Sequence, residues 1–290
     1  MRPQFLVVGH TVQDLTSEGD PADWRLGGAA AFAATTARNL GLRAAVLTSA
    51  SAELPLDALL PGIELNIVRS RRSTQIRNVY GEGPRRQFVP QRAAALTPDH
   101  LPAAWRQTPI VLLGPVLGEV DKSFAECFRL SLLGIGAQGW LRRVGRDTQV
   151  RPIKPADLDV RGVLRYARAL FLSDEDISTG DAPPALTYWS DLVQIVAFTR
   201  GDGGADVCVR GNWRHIDTFP AHAVDPTGAG DVFAAAFLIR LWESGDVWKA
   251  ARFASCAASF AVEGDGITSV PTREQVETRL KEFPDIRAAG

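Results

Sequence analysis

The chain has 290 residues, 46% hydrophobic and 22% charged, with a formal net charge of -1. That apolar share can fill one large core. The balance of Lys+Arg 32 against Asp+Glu 33 excludes the basic excess of a nucleic-acid binder, and the spacing of Cys127, Cys208 and Cys256 fits neither a zinc pair nor a disulfide framework.

In chain order, residues 5–8 form a strand-like apolar run, too short for a signal-peptide core or a membrane span. No other stretch reaches about 18 uninterrupted apolar residues, so a soluble cytoplasmic protein with no membrane partner is expected. Further strands are predicted over 44–47, 110–113, 134–137, 170–172 and 194–198. Helices are predicted over 28–40, 121–132, 184–192, 230–242, 247–262 and 272–283. Strands alternating with helices point to βαβ units, hence an α/β fold with a mainly parallel sheet covered on both faces. Ligands of such sheets bind beyond the carboxyl ends of the strands. Most of the predicted strands end in glycine or a small polar residue, Gly9, Ser49, Gly114 and Thr199, which suits close backbone approach there.

Between these units the pattern changes. Residues 64–68, 73–80 and 87–89 alternate polar and apolar side chains, with Gly81-Glu82-Gly83-Pro84 before the last run. This reads as a small antiparallel unit with a hairpin, either a lid over the crevice or a surface hairpin at the sheet edge. Arg69, Arg71, Arg72, Arg77, Arg85 and Arg86 read as its solvated face. The three cysteines lie among apolar neighbours and read as buried free thiols. No repeat, low-complexity tract or linker divides the chain, so 1–290 is read as one domain.

The segment that carries chemistry is Asp225-Pro226-Thr227-Gly228-Ala229-Gly230-Asp231, followed by the apolar helical run Val232-Phe233-Ala234-Ala235-Ala236-Phe237-Leu238. Its glycines fall at a helix start, where backbone N–H groups lack intrahelical partners and the macrodipole favours negative charge. The amides of Gly228, Ala229 and Gly230 can cradle a transferring phosphoryl group. Asp231 falls in the first turn, where the dipole is expected to keep it ionised and ready to take a proton from an attacking hydroxyl. On local physics alone, a plain turn followed by a helix-start carboxylate stays open. The Walker pattern is absent, and a dinucleotide fingerprint needs a small residue where Phe233 stands.

Several segments together resemble the ribokinase-like, or PfkB-type, carbohydrate kinases. Residues 225–231 match the family's late signature. Gly27-Gly28-Ala29-Ala30-Ala31 with Leu40-Gly41-Leu42 resembles its early Gly-Gly signature, Val7-Val8-Gly9-His10 with Asp14 its first strand and substrate aspartate, and Thr199-Arg200-Gly201-Asp202-Gly203-Gly204 its Thr-x-Gly-x-x-Gly phosphate element. The resemblance implies a three-layer αβα fold with a small antiparallel β lid, formed by about 11–26 and 63–92. It implies ATP-dependent, Mg²⁺-requiring phosphoryl transfer to a hydroxyl, with Asp231 as general base and 228–230 as anion cradle. Asp14, Gly27 and Gly28 would meet substrate, and Thr199, Gly201 and Gly204 the triphosphate. Base contacts are expected near Ala254, Ala257 and Ala258. Asp225 and Thr227 would hold a monovalent cation such as K⁺, with Ser269 of 264–271 completing its site.

Two departures from the family pattern stand out. Phe32 occupies a position often held by a polar substrate-binding Asn, and the Asn-x-x-Glu element is reduced to Ser173-Asp174-Glu175-Asp176, with Asp176 keeping the carboxylate of the Mg²⁺ network. The segment Gly134-Ile135-Gly136-Ala137-Gln138-Gly139-Trp140-Leu141-Arg142 resembles that of a subgroup including plant inositol 3-kinases. It nominates Gln138 and Arg142 for substrate or phosphate contact, beside the plainer reading of an exposed strand-end arginine. The acceptor expected is a sugar or cyclitol such as inositol, with a nucleoside stacked on Trp24 or Phe32 as the alternative. A non-catalytic ligand-binding or regulatory protein on the same fold is the different-class reading. His10, at a strand end, is read as touching substrate or as structural. A homodimer through the lid is a further expectation.

Overall fold

The computed structural model describes residues 2–15, 23–79, 86–286 and 288–289. The first part runs β1 (Phe5–Val8), β2 (Val12–Leu15), β3 (Trp24–Gly27), α1 (Ala29–Asn39), β4 (Ala44–Ala50), α2 (Leu56–Leu59), β5 (Glu64–Arg69), β6 (Thr74–Val79), β7 (Arg86–Gln91), β8 (Ile110–Leu113), α3 (Phe124–Cys127) and β9 (Leu132–Gly136). The second runs β10 (Arg142–Val144), β11 (Val150–Pro152), α4 (Arg161–Leu164), β12 (Ala169–Ser173), α5 (Ala182–Leu192), β13 (Ile195–Thr199), β14 (Ala205–Val209), β15 (Asn212–Ile216), α6 (Ala229–Ser244), α7 (Val247–Ala261), α8 (Arg273–Glu282) and β16 (Ala288–Ala289).

The main sheet has the order β16-β15-β14-β13-β12-β9-β8-β1-β4-β5. It is parallel from β13 to β5 and antiparallel from β13 to β16. β1 lies inside it, with Phe5–Val8 in register with Ala44–Leu47 on one side and Ile110–Leu113 on the other. Because side chains alternate along a strand, Phe5 and Val7 join the core beneath α1, α6 and α7, while Leu6 and Val8 pack with Phe124, Phe128 and Trp189 on the opposite face. Burial on both faces is why β1 is an unbroken apolar run. α6 is buried over Val232–Ile239, and Phe237 packs edge-on to Phe171 of β12 at 5.4 Å. The three-layer α/β architecture is as expected.

The small sheet has the order β3-β2-β6-β7; β2 and β6 run parallel, and the other pairs antiparallel. β6 and β7 pair as expected, while the turn at 81–84 lies outside the described residues. One boundary moves. β5 belongs to the main sheet, where it pairs parallel with β4 from Glu64↔Ala45 to Arg69↔Ala50. Leu65 and Ile67 of β5 pack on the core beneath α1 and Val68 on the opposite core, so a partly covered edge strand shows the same period-two alternation as a lid strand. The helix expected over 121–132 is a single turn, because after Phe124 and Phe128 are buried the chain turns at fully exposed Leu130 to begin β9. β9 itself starts two residues earlier than predicted.

A short hairpin, β10–β11, also went unpredicted; it touches the lid where Val89 N–H donates to Thr148 O at 2.9 Å. Cys208 and Cys256 are buried and Cys127 is half-buried, all as free thiols. No helix among the described residues is long and apolar enough to cross a membrane.

Candidate active site

A cavity of about 870 Å³ opens beyond the carboxyl ends of the central strands, bounded by the lid, the start of α6 and one face of α7. Its floor is the segment singled out in the sequence. Gly228 has φ 81, and a Cβ there would lie 2.4 Å from the Phe32 ring, so glycine is required on both conformational and steric grounds. The Asp225 carboxylate accepts from Thr227 N–H at 2.9 Å and fixes the turn entering the loop. Gly228 and Gly230 then present their amides at the helix start, while Ala229 N–H turns back to Pro226 O at 3.3 Å.

Asp231 follows in the first turn and faces the cavity. Its carboxyl does not stay in the ordinary carboxylate range, as the dipole argument expected. Burial, and then the negative charge of Asp176, push its pKa up to about 7, while Arg142 acts in the opposite direction. Its edge keeps contact with the cavity, but protein encloses it over the longer distances that set desolvation. A carboxylate that holds its proton until near neutrality matches the task of a general base better than one that is always ionised.

Asp176 is buried. Its Oδ2 accepts from Ser173 N–H and Ser173 Oγ–H, both at 2.9 Å, and its Oδ1 faces Arg142 Nη2 at 3.4 Å. Both oxygens are thereby engaged, and Asp176 stands as Arg142's partner and as a neighbouring charge to Asp231. The exposed carboxylates of Asp174 and Glu175 line the cavity and fit a Mg²⁺ held through water and donor phosphates. Among the described residues no three or more His, Cys, Asp or Glu side chains converge as a metal cluster.

Gln138 opens the turn after β9 and Arg142 begins β10; both line the cavity. Trp140 anchors this turn by donating from Nε1 to Val120 O at 3.1 Å. Asp14 and Gly28 also line the cavity. Gly27 does not; a Cβ there would fall 1.8 Å from Asp14 Oδ2, so its role is to make room for that carboxylate. Phe32 lines the cavity although it is almost fully buried, with its ring set against Gly228; Trp24 does not line it and packs on the core. Thr199, Gly201 and Gly204 line the cavity at the β13–β14 turn.

The expected base contacts need correction. Ala254 and Ala257 are fully buried, and only Ala258 reaches the cavity, with Ser255, Ser259 and Val262. These four recur at three- and four-residue spacing along one helix face. Phe219, Pro220 and Ala221 line the same cavity. Asp225 and Ser269 do not line the cavity, although Thr227 does; Ser269 Oγ instead lies 2.9 Å from Ala261 O and 2.8 Å from Gly266 O. His10 is structural, with its ring nitrogens 2.8 Å from Ala94 O and 2.8 Å from Thr74 Oγ1.

Sequence reasoning missed Asn78 and Gln87. These lid residues line the cavity, with Gln87 Nε2 donating to Asn78 Oδ1 at 2.8 Å. The signal was present: Ile76 and Asn78 alternate with Gln75 and Arg77 along β6, and the even positions face inward.

Residues 140–273 match the family model described as pfkB family carbohydrate kinase. A ribokinase of Bacillus subtilis (strain 168) is 34% identical over 134 residues, which is 45% of this chain and 43% of the relative, so the match spans less than half of that protein's length. A pyrophosphate-dependent kinase in the ribokinase family, solved with a pyrophosphate analog and myo-inositol, superposes with a TM-score of 0.78 at 23% identity, over 94% of this chain and 99% of that one. Arabidopsis thaliana ribokinase with ribose and ATP superposes with a TM-score of 0.74 at 20% identity, over 97% and 99%. At these identities the two structures establish the fold.

Proposed function

We propose that this chain, which carries a pfkB family carbohydrate kinase domain on a ribokinase-like fold, transfers the γ-phosphoryl group of ATP to a hydroxyl of a small neutral polyol, a sugar or a cyclitol such as inositol. The observation that carries the reading is Asp231, a carboxyl with a pKa pushed up to about 7, placed beside helix-start amides on the floor of a large cavity. Asp14, Gln138 and the Asn78–Gln87 pair surround the acceptor end with hydrogen-bonding groups. Such groups recognise hydroxyls at low desolvation cost, since each can both orient the substrate and replace its water.

Asp231 takes the proton of the attacking hydroxyl. The acceptor oxygen bonds to the γ-phosphorus as the bond to the β,γ-bridging oxygen breaks, and ADP leaves. The Gly228 and Gly230 amides carry the charge on the transferring group. When bound, Mg²⁺ offsets phosphate charge beside Asp174 and Glu175. Phe219, Pro220, Ala221, Ala258 and Val262 give the cavity lining an apolar portion, which suits a nucleobase.

The nucleoside alternative has less support as an acceptor, because Trp24 packs on the core and the Phe32 ring, although it lines the cavity, is only 1% exposed and set against Gly228. The test is ADP release over a panel of polyols and nucleosides, with wild type and Asp231→Asn compared. If no acceptor supports turnover above the Asn variant, the enzyme reading fails and a ligand-binding role takes its place.

A further inference from the structure

With Arg25 in place, the monovalent-cation site that the family resemblance implies does not assemble from Asp225, Thr227 and Ser269. One Asp225 oxygen is held by Thr227 N–H, and Ser269 Oγ sits between two carbonyls of its own loop. The other Asp225 oxygen, Oδ2, faces a cation that belongs to the chain. Arg25 of the lid strand β3 places Nη1 4.0 Å from Asp225 Oδ2 and 2.7 Å from Asp265 Oδ1. Asp265 immediately precedes the turn Gly266–Ser269, whose Thr268 Oγ donates to Asp265 O at 2.7 Å. The loop entering the anion cradle and the loop beside it therefore share one guanidinium.

We propose that Arg25 is the resident counter-charge of the phosphoryl cradle, standing in place of a K⁺-type ion and making the protein indifferent to monovalent cations. A guanidinium supplies one positive charge at any working pH and cannot diffuse away. It also differs from a bound ion in where it comes from. Arg25 is carried by the lid, opposite Asp14 in the β2–β3 register, so the charge is in place only when the lid strand is. The Arg25 and Asp265 side chains are 51% and 53% exposed, and so open a pair contributes little to folding stability. Its value lies in placing charge behind Asp225 and hence behind the amides of the anion loop.

This inference rests on the kinase reading for its rate arm but not for its binding arm. The full chain is held in tetramethylammonium chloride, and KCl replaces it at constant ionic strength up to about 100 mM. The thermal midpoint and ADP release are followed in both salts. For wild type the midpoint is expected to be unmoved, and turnover to agree within about twofold. Arg25→Met is expected to lose about tenfold in turnover in tetramethylammonium, as for a lost charge-assisted contact, and to regain it with KCl or millimolar guanidinium. Its midpoint should rise specifically with K⁺. A K⁺-specific gain in wild-type midpoint or turnover overturns the proposal, as does an Arg25→Met protein that works like wild type in tetramethylammonium. If no acceptor turns over in any salt, the kinase reading fails by itself and the midpoints still decide: any pattern other than an inert wild type and a K⁺-responsive variant sinks the counter-charge role.

Discussion

Replacing Asp231 by Asn should stabilise the protein at alkaline pH while removing its activity. The carboxyl is raised from 3.8 to about 7 by folding, chiefly through burial. The folded state therefore holds this proton more tightly than the unfolded chain. Stability linked to the group is fully present below pH 3.8 and is lost progressively as pH rises to about 7. The loss is complete above that value and has an upper limit of roughly 4 kcal/mol, at about 1.36 kcal/mol per pKa unit. Asn carries no charge to desolvate, but it forgoes the attraction to Arg142 and to the helix dipole, so a net gain of about 1–3 kcal/mol at pH 8 is expected. Urea unfolding followed by circular dichroism at pH 8 and pH 5 measures it. The gain should shrink by more than half at pH 5, where wild type is largely protonated. Equal stability of the two proteins at pH 8, or a difference that ignores pH, would refute the burial argument for Asp231.

Three further outcomes follow from the same geometry. Arg142→Met strands the Asp176 carboxylate, with only 3% of its side chain exposed, and should cost about 3 kcal/mol or more; it should also move the acid limb of the kcat/KM pH profile upward from about 7, since Arg142 is the group lowering the Asp231 pKa. Gly228→Ala places a methyl 2.4 Å from the Phe32 ring at φ 81 and should abolish turnover with a stability loss of about 1–3 kcal/mol; Phe32→Ala in the same chain should recover part of the stability and little of the rate. Ala258→Phe should raise the KM for ATP with the fold intact, whereas Ala254→Phe, at a site with no exposure, should overpack the core and lower the thermal midpoint.

The parallel half of the fold was legible because burial on both faces leaves an unmistakable trace: runs such as Phe5–Val8 and Ile110–Leu113 contain no polar residue. The lid was legible as a pattern but not as a boundary, since period-two alternation reports one covered face without saying which body covers it, and β5 went to the main sheet. In the site, the anion loop could be read from one local segment because its function depends on local backbone geometry. Asp231's elevated pKa could not, because it arises from enclosure and from Asp176, 55 positions away in sequence and brought near by β12. Arg25 escaped notice for the same reason: its partners Asp225 and Asp265 lie 200 and 240 residues downstream.

α6 is apolar on every side from Val232 to Ile239, packed between α1, α7 and the sheet. An element enclosed in that way opens only when the whole domain does, so its amides belong to the slowest-exchanging set in the molecule. The cradle at its first turn is anchored directly to that enclosed stretch, although its own amides face the cavity. Heating should therefore inactivate the protein along the same curve as global unfolding, with no earlier loss of the reacting centre, and any plasticity that binding requires must be supplied by the lid side of the cavity.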